Sequence, residues 1–85
     1  MMNVYELYNL IGKNLKNIRE NKINISQEKL ADELNMSRSF LSQVESQNVD
    51  KGISLDTLFY ISQKYNIDIR DFFSNYEELL KKSDK

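Results

Sequence analysis

Val4, Leu7, Tyr8, Ile11, Leu15 and Ile18 recur at steps of three and four. That spacing is one stripe of an amphipathic helix over roughly residues 3–21, with Lys13, Lys16 and Asn17 on its other faces. The stretch Asn21 to Ile25 ends it, and Asn24 is the residue expected to turn left-handed where a glycine is more usual. Ser26 is placed to cap a second helix whose inward positions are Leu30, Ala31 and Leu34. Asn35 falls where the chain must reverse with a positive φ. Ser37 caps a third helix, with Leu41 and Val44 inward and Arg38, Ser39, Ser42, Gln43 and Ser46 outward.

Residues 47–52 read as a loop. Ser54 caps a fourth helix in which Leu55, Leu58, Phe59, Ile61 and Tyr65 are apolar, and Asn66 closes it. Asp68 and Asp71 open a fifth helix carrying Ile69, Phe72, Phe73, Tyr76, Leu79 and Leu80. The expected organisation is a single domain over residues 1–80 that ends in a dimerisation helix. Residues 81–85, with Lys81, Lys82 and Lys85, form a frayed tail.

Composition narrows the chemistry. Among 85 residues there is no cysteine and no histidine, so disulfides, thiolate metal sites and the usual neutral-pH base are excluded. Carboxylates are the remaining acid–base groups, and none forms a convincing pair. An enzyme is not expected, nor a metal, a cofactor or a small-molecule ligand. The lack of proline and the presence of only two glycines suit a nearly all-helical chain. No apolar run is long enough for a signal peptide or a membrane span, so a soluble cytoplasmic protein is the expectation. The net charge of −1 opposes a strongly basic nucleic-acid binder, but it is uneven. Residues 1–25 carry +2, residues 26–53 carry −2 and residues 54–85 carry −1. Affinity for DNA would then lean on base contacts and dimerisation.

Residues 27–45 carry the most specific signal. Two helices that cross steeply need a small residue at the crossing, and Ala31 supplies it opposite Leu41 and Val44. In such a helix-turn-helix the second helix lies in the major groove and presents its N-terminal residues to base edges. Arg38 can donate twice to guanine, Ser39 and Ser42 let the helix sit deep, and Gln43 can pair with adenine. Gln27 and Ser37, with Ser46, Gln47, Asn48 and Lys51 of the following loop, are candidates for the phosphate backbone.

The chain resembles the Cro/repressor-type (xenobiotic-response-element) helix-turn-helix family across residues 8–73. The resemblance rests on Ile11, Leu15 and Ile18-Arg19, then Ser26 to Ala31, Met36-Ser37-Arg38 to Val44-Glu45, Ser54-Leu55 to Leu58, and Asn66-Ile67-Asp68 leading into Phe72. It implies an all-α, compact, five-helix, lambda-repressor-like DNA-binding domain with the helix-turn-helix at helices 2 and 3. It also implies operator binding as a symmetric dimer, phosphate contact at Gln27, base reading by Arg38, Ser39 and Ser42, and a structural pairing of Arg19 with Glu45. Its length and apolar fifth helix are similar to the controller proteins of restriction–modification systems. The segment from Arg19 to Gln27 is one residue longer than is usual for the family and lacks its common glycine.

Each residue also has a plainer reading. Lys13 and Lys16 are solvated charges or else reach phosphate, and Phe40 either touches a thymine methyl or packs on the rim of helix 2. Glu28, Asp32 and Glu33 make a solvated acidic face that an activator would present to RNA polymerase. Phe73, Tyr76 and Leu80, at steps of three and four, would stay exposed on a monomer and mark a homodimer interface. The expected function is a sequence-specific regulator binding a palindromic operator as a homodimer. The competing one is a protein-interaction module, such as an antitoxin or an antagonist of another regulator.

Overall fold

The computed structural model describes residues 2–46 and 50–83. Among these, five α-helices form: α1 (Val4–Ile18), α2 (Gln27–Glu33), α3 (Arg38–Glu45), α4 (Leu55–Tyr65) and α5 (Tyr76–Ser83). A π-helical turn (Arg19–Ile23) follows α1, and a 3-10 turn (Ile69–Phe73) precedes α5. None of these helices is long and apolar enough to cross a membrane.

Side-chain caps set the boundaries. Asn3 Oδ1 accepts the Glu6 N–H at 3.1 Å, and Glu6 returns the bond to the Asn3 N–H at 3.2 Å, so both free donors at the start of α1 are satisfied. Ser26, Ser37 and Ser54 cap α2, α3 and α4 as their positions predict, accepting from Lys29, Phe40 and Thr57. Asn24, Asn35, Asn66 and Asn75 adopt φ values of 61°, 55°, 54° and 70°. Asparagine does here what glycine does in most helix ends, because its short polar side chain tolerates the left-handed region.

α1 departs from expectation at its end. The helix widens into the π turn, closed by the Asn24 N–H to the Arg19 carbonyl at 2.8 Å. A π turn accommodates one more residue than an α turn. The extra residue between Arg19 and Gln27 is absorbed there, and Arg19 still reaches the interior.

The core is Ile11, Leu15 and Ile18 of α1, Leu30 and Ala31 of α2, Leu41 and Val44 of α3, Leu58 and Ile61 of α4, and Phe72. Ala31 is buried at the α2–α3 crossing, as its size requires. A second close approach lies at Gly12, inside α1. A Cβ there would stand 1.9 Å from the Val44 carbonyl oxygen, so α1 and the end of α3 touch backbone to side-chain-free backbone.

The fifth helix expected from Asp68 onward is broken. Buried Asn14 donates its amide to the carbonyls of Phe72 (2.9 Å) and Ser74 (3.0 Å). Those oxygens would otherwise accept the helical N–H groups four residues on, so the chain turns at Ser74–Asn75 and restarts as α5. The Phe73–Tyr76–Leu80 stripe is therefore split. Phe73 packs against the core, while Tyr76 and Leu80 stay exposed on a separate rod. α5 also runs through Lys81 and Lys82, so the domain edge placed at residue 80 falls inside a helix. Asp84 and Lys85, the rest of the expected tail, lie outside the described residues.

A polar clasp joins α2 to α4. Tyr65 donates to Glu33, and Lys64 Nζ lies 3.2 Å from the other oxygen of that carboxylate. The tyrosine hydrogen bond, and then Lys64, hold the Glu33 carboxyl below its ordinary range. Burial first, and then Glu33, pushes the Tyr65 phenol up. A depressed carboxyl adds stability above its unfolded value and loses it as pH falls through the folded one, and a raised phenol loses its share as pH rises through its folded value. Urea midpoints of the Glu33→Gln protein should therefore vary less with pH than wild type, both below about pH 4 and above about pH 10. Parallel curves for the two proteins would show that the clasp adds nothing.

Candidate nucleic-acid interface

α3 separates its residues cleanly. Leu41, Val44 and Glu45 are buried, Arg38, Ser39 and Gln43 are exposed, and Ser42 is half-buried. Serines at 39 and 42 leave a shallow outer surface along the helix, and the exposed Arg38 stands at its leading end. Phe40 is half-buried and packs against the core. The Ser37 hydroxyl oxygen accepts the Phe40 N–H at 3.0 Å, which leaves its O–H as a donor. Ser46 Oγ donates to the Ser42 carbonyl at 2.7 Å and remains exposed with Lys51. Gln47 and Asn48, also expected to follow the backbone, lie outside the described residues.

Behind α3 sits a buried ion pair. Arg19 forks onto Glu45, Nε to Oε2 and Nη2 to Oε1, both at 2.9 Å, with the side chains 8 % and 2 % exposed. Arg19 Nη1 also donates to the Ile25 carbonyl at 3.0 Å, and Glu20 lies 3.7 Å away. The Glu45 hydrogen bond raises the Arg19 guanidinium above its ordinary value against the opposing effect of burial. Bidentate geometry, with the third nitrogen also hydrogen-bonded, is what lets this buried ion pair persist.

Gln27 belongs to this network. Its Nε2 donates to Glu45 Oε1 at 2.9 Å, so it is not the free amide the sequence suggested. The carboxylate that anchors α1 to α3 also aims Gln27, leaving its amide oxygen and second N–H for a ligand.

Gln27, Ser42, Glu45 and Ser46 line an open cleft of about 530 Å³ together with Lys13 and Lys16 of α1. The two lysines, read from the sequence as solvated charges or phosphate contacts, thus line the same cleft as Ser42 and Ser46. Because Arg19 neutralises Glu45, their charge dominates the cleft, although the whole chain carries −1. The sequence signal for them was slight: two exposed lysines three apart, flanking Asn14 and Leu15, which face inward. On α2, Glu28 and Asp32 are exposed, but Glu33 is committed to the clasp, so the acidic face is smaller than its sequence implies.

A helix-turn-helix family profile matches residues 15–72, the span that holds the capped pair, the buried fork and α4. The chain belongs to the helix-turn-helix family, of the Cro/repressor type. Within this family of DNA-binding regulators it is similar to control protein C.BamHI of Bacillus amyloliquefaciens, 36 % identical over 62 residues that span 73 % of this chain and 74 % of the relative. It is also similar to control protein C.MunI of a Mycoplasma species, 33 % identical over 67 residues, or 79 % and 88 % of the two chains. No solved structure gives a significant match. In this helix-turn-helix chain α2 and α3 are the paired helices, and Leu34, Asn35, Met36 and Ser37 form the tight connection between them.

Proposed function

We propose that the protein is a sequence-specific transcriptional regulator that binds a palindromic operator as a homodimer, in the manner of a restriction–modification controller. One observation carries this reading: the arginine-tipped, serine-lined face of α3 opens onto a lysine-bearing cleft whose Gln27 is held in place by the buried Arg19–Glu45 fork. Insertion of α3 in the major groove puts Arg38, Ser39, Ser42 and Gln43 against base edges. Lys13, Lys16, Gln27, Ser37, Ser46 and Lys51 then face phosphates on either side. Two copies would present their α3 helices ~34 Å apart, one turn of DNA. The similarity to two control proteins supports the controller reading. A contact with RNA polymerase, if the regulator activates, would fall to exposed Glu28 and Asp32.

Base-reading and backbone-holding residues should separate experimentally. With an operator selected from random duplexes, Arg38→Ala should lose ~1–3 kcal/mol per half-site and relax preference at one base pair. Lys16→Ala should weaken selected and random DNA alike, and lower the slope of log affinity against log salt by about 1 per half-site. Unchanged sequence preference in Arg38→Ala would remove Arg38 from base reading. Recovery of a bound protein partner with no selected DNA sequence would favour the interaction-module reading instead.

A further inference from the structure

The buried stripe of α4 runs through Leu58, Ile61 and Ser62, which leaves two adjacent rows outside: Leu55–Phe59–Gln63 and Asp56–Tyr60–Lys64. Leu55 is 64 % and Phe59 56 % exposed, more than Tyr76 or Leu80 of α5. Large apolar side chains one turn apart on one helix face, rimmed by charge, are the usual mark of an interface.

We infer that this face of α4 receives a second copy of the same chain, packed antiparallel about a two-fold axis that crosses the helix near Phe59 and Tyr60. The inference rests on the homodimer reading and moves its seam from α5 to α4. The helix is self-complementary about that axis. In a two-fold pair each contact occurs twice, residue i on j and j on i. An axis at this level brings Leu55 and Asp56 of one copy beside Gln63 and Lys64 of the other, while Phe59 and Tyr60 meet their own counterparts. The acidic first turn thus meets the basic last turn at both ends of the seam. Lys64 is already poised on this face, 5.9 Å from the Tyr60 ring centroid and held from behind by Glu33. A parallel pairing would set Asp56 on Asp56 and Lys64 on Lys64. On α5, by contrast, no side chain from Tyr76 to Lys82 is fully buried, and Phe73 of the expected stripe is already spent on the core. The α4 face alone falls short of the ~20–30 residues a side of a standard interface, so the free dimer should dissociate on dilution.

The chain contains no cysteine, so a single introduced thiol reports on one position. Full-length Phe59→Cys protein, oxidised at a concentration where sedimentation equilibrium shows wild-type dimer, should become a disulfide-linked dimer, and Leu80→Cys should not. The charge arrangement gives an independent test. Asp56→Lys and Lys64→Glu should each weaken dimerisation about tenfold or more, because each places like charges together twice. An equimolar mixture of the two should recover the dimer, since each new charge meets its opposite. Should Lys64→Glu fail to fold without its Glu33 contact, Gln63→Glu takes its place in the mixture. Cross-linking through Leu80→Cys but not Phe59→Cys, or a mixture no tighter than its components, overturns the α4 seam and leaves the homodimer reading standing. Wild-type protein that is monomeric both free and on the selected operator overturns both.

Discussion

Replacing Gly12 with alanine should destabilise the protein, although alanine is the better helix former. Propensity alone favours the change by about 1 kcal/mol. Against it stands a Cβ 1.9 Å from the Val44 carbonyl oxygen, which is backbone and cannot swing aside. Either α3 shifts away from α1 or α1 bends, and such overpacking costs about 1–3 kcal/mol or more. The net result should be a fall in melting temperature of at least several degrees, since 1 kcal/mol is worth about 4–8 °C in a domain of this size. Gly12→Val, with branching added, should prevent folding at room temperature. Circular-dichroism melts of the two variants check this. An alanine variant more stable than wild type would mean that α1 and α3 do not touch here.

Loss of one member of the Arg19–Glu45 fork should be the more damaging change. Removing either partner strands the other as a buried, unpaired charge, which costs about 3–5 kcal/mol. A domain of this length holds in total only about 4–13 kcal/mol. Arg19→Met and Glu45→Leu should each leave the protein largely unfolded. The double variant should regain much of the loss, because no orphaned charge remains. Refolded double variant should still bind the operator more weakly than wild type, since Gln27 has lost the carboxylate that aims it. A denaturation double-mutant cycle, read beside operator affinity, separates the two effects. Additive losses in stability would show that the fork is not a coupled unit.

These two sites mark where sequence reading works and where it stops. The caps at Ser26, Ser37 and Ser54 and the left-handed asparagines were legible because each is a local decision between a side chain and its own backbone. Ala31 was legible because it sits inside a dense apolar pattern. Gly12 was not, since a glycine in mid-helix looks merely unfavourable until the carbonyl across from it is known. The break at Ser74 was hidden for the same reason. Asn14, some sixty residues away, takes the carbonyls the helix needed, and periodicity carries no trace of that.

Similarly, Leu55 and Phe59 stood in the sequence simply as apolar positions of the fourth helix, because apolar spacing cannot say how wide a buried stripe will be. On the outer face of α3, the exposed character of Arg38, Ser39 and Gln43 followed directly from helix phase. The tethering of Gln27 to Glu45 and the position of Lys13 and Lys16 beside it did not, because they depend on how α1, α2 and α3 meet.

The central claim is that the outer face of α3 and the lysine-bearing cleft beside it form the DNA surface. Backbone amide chemical shifts, followed by NMR while the selected operator duplex is titrated in, test it most directly. The account predicts that the largest changes fall on Arg38, Ser39, Ser42 and Gln43, with Lys13, Lys16 and Gln27 close behind. Changes concentrated on α5 or on the Glu33–Tyr65 clasp, with α3 silent, would contradict it.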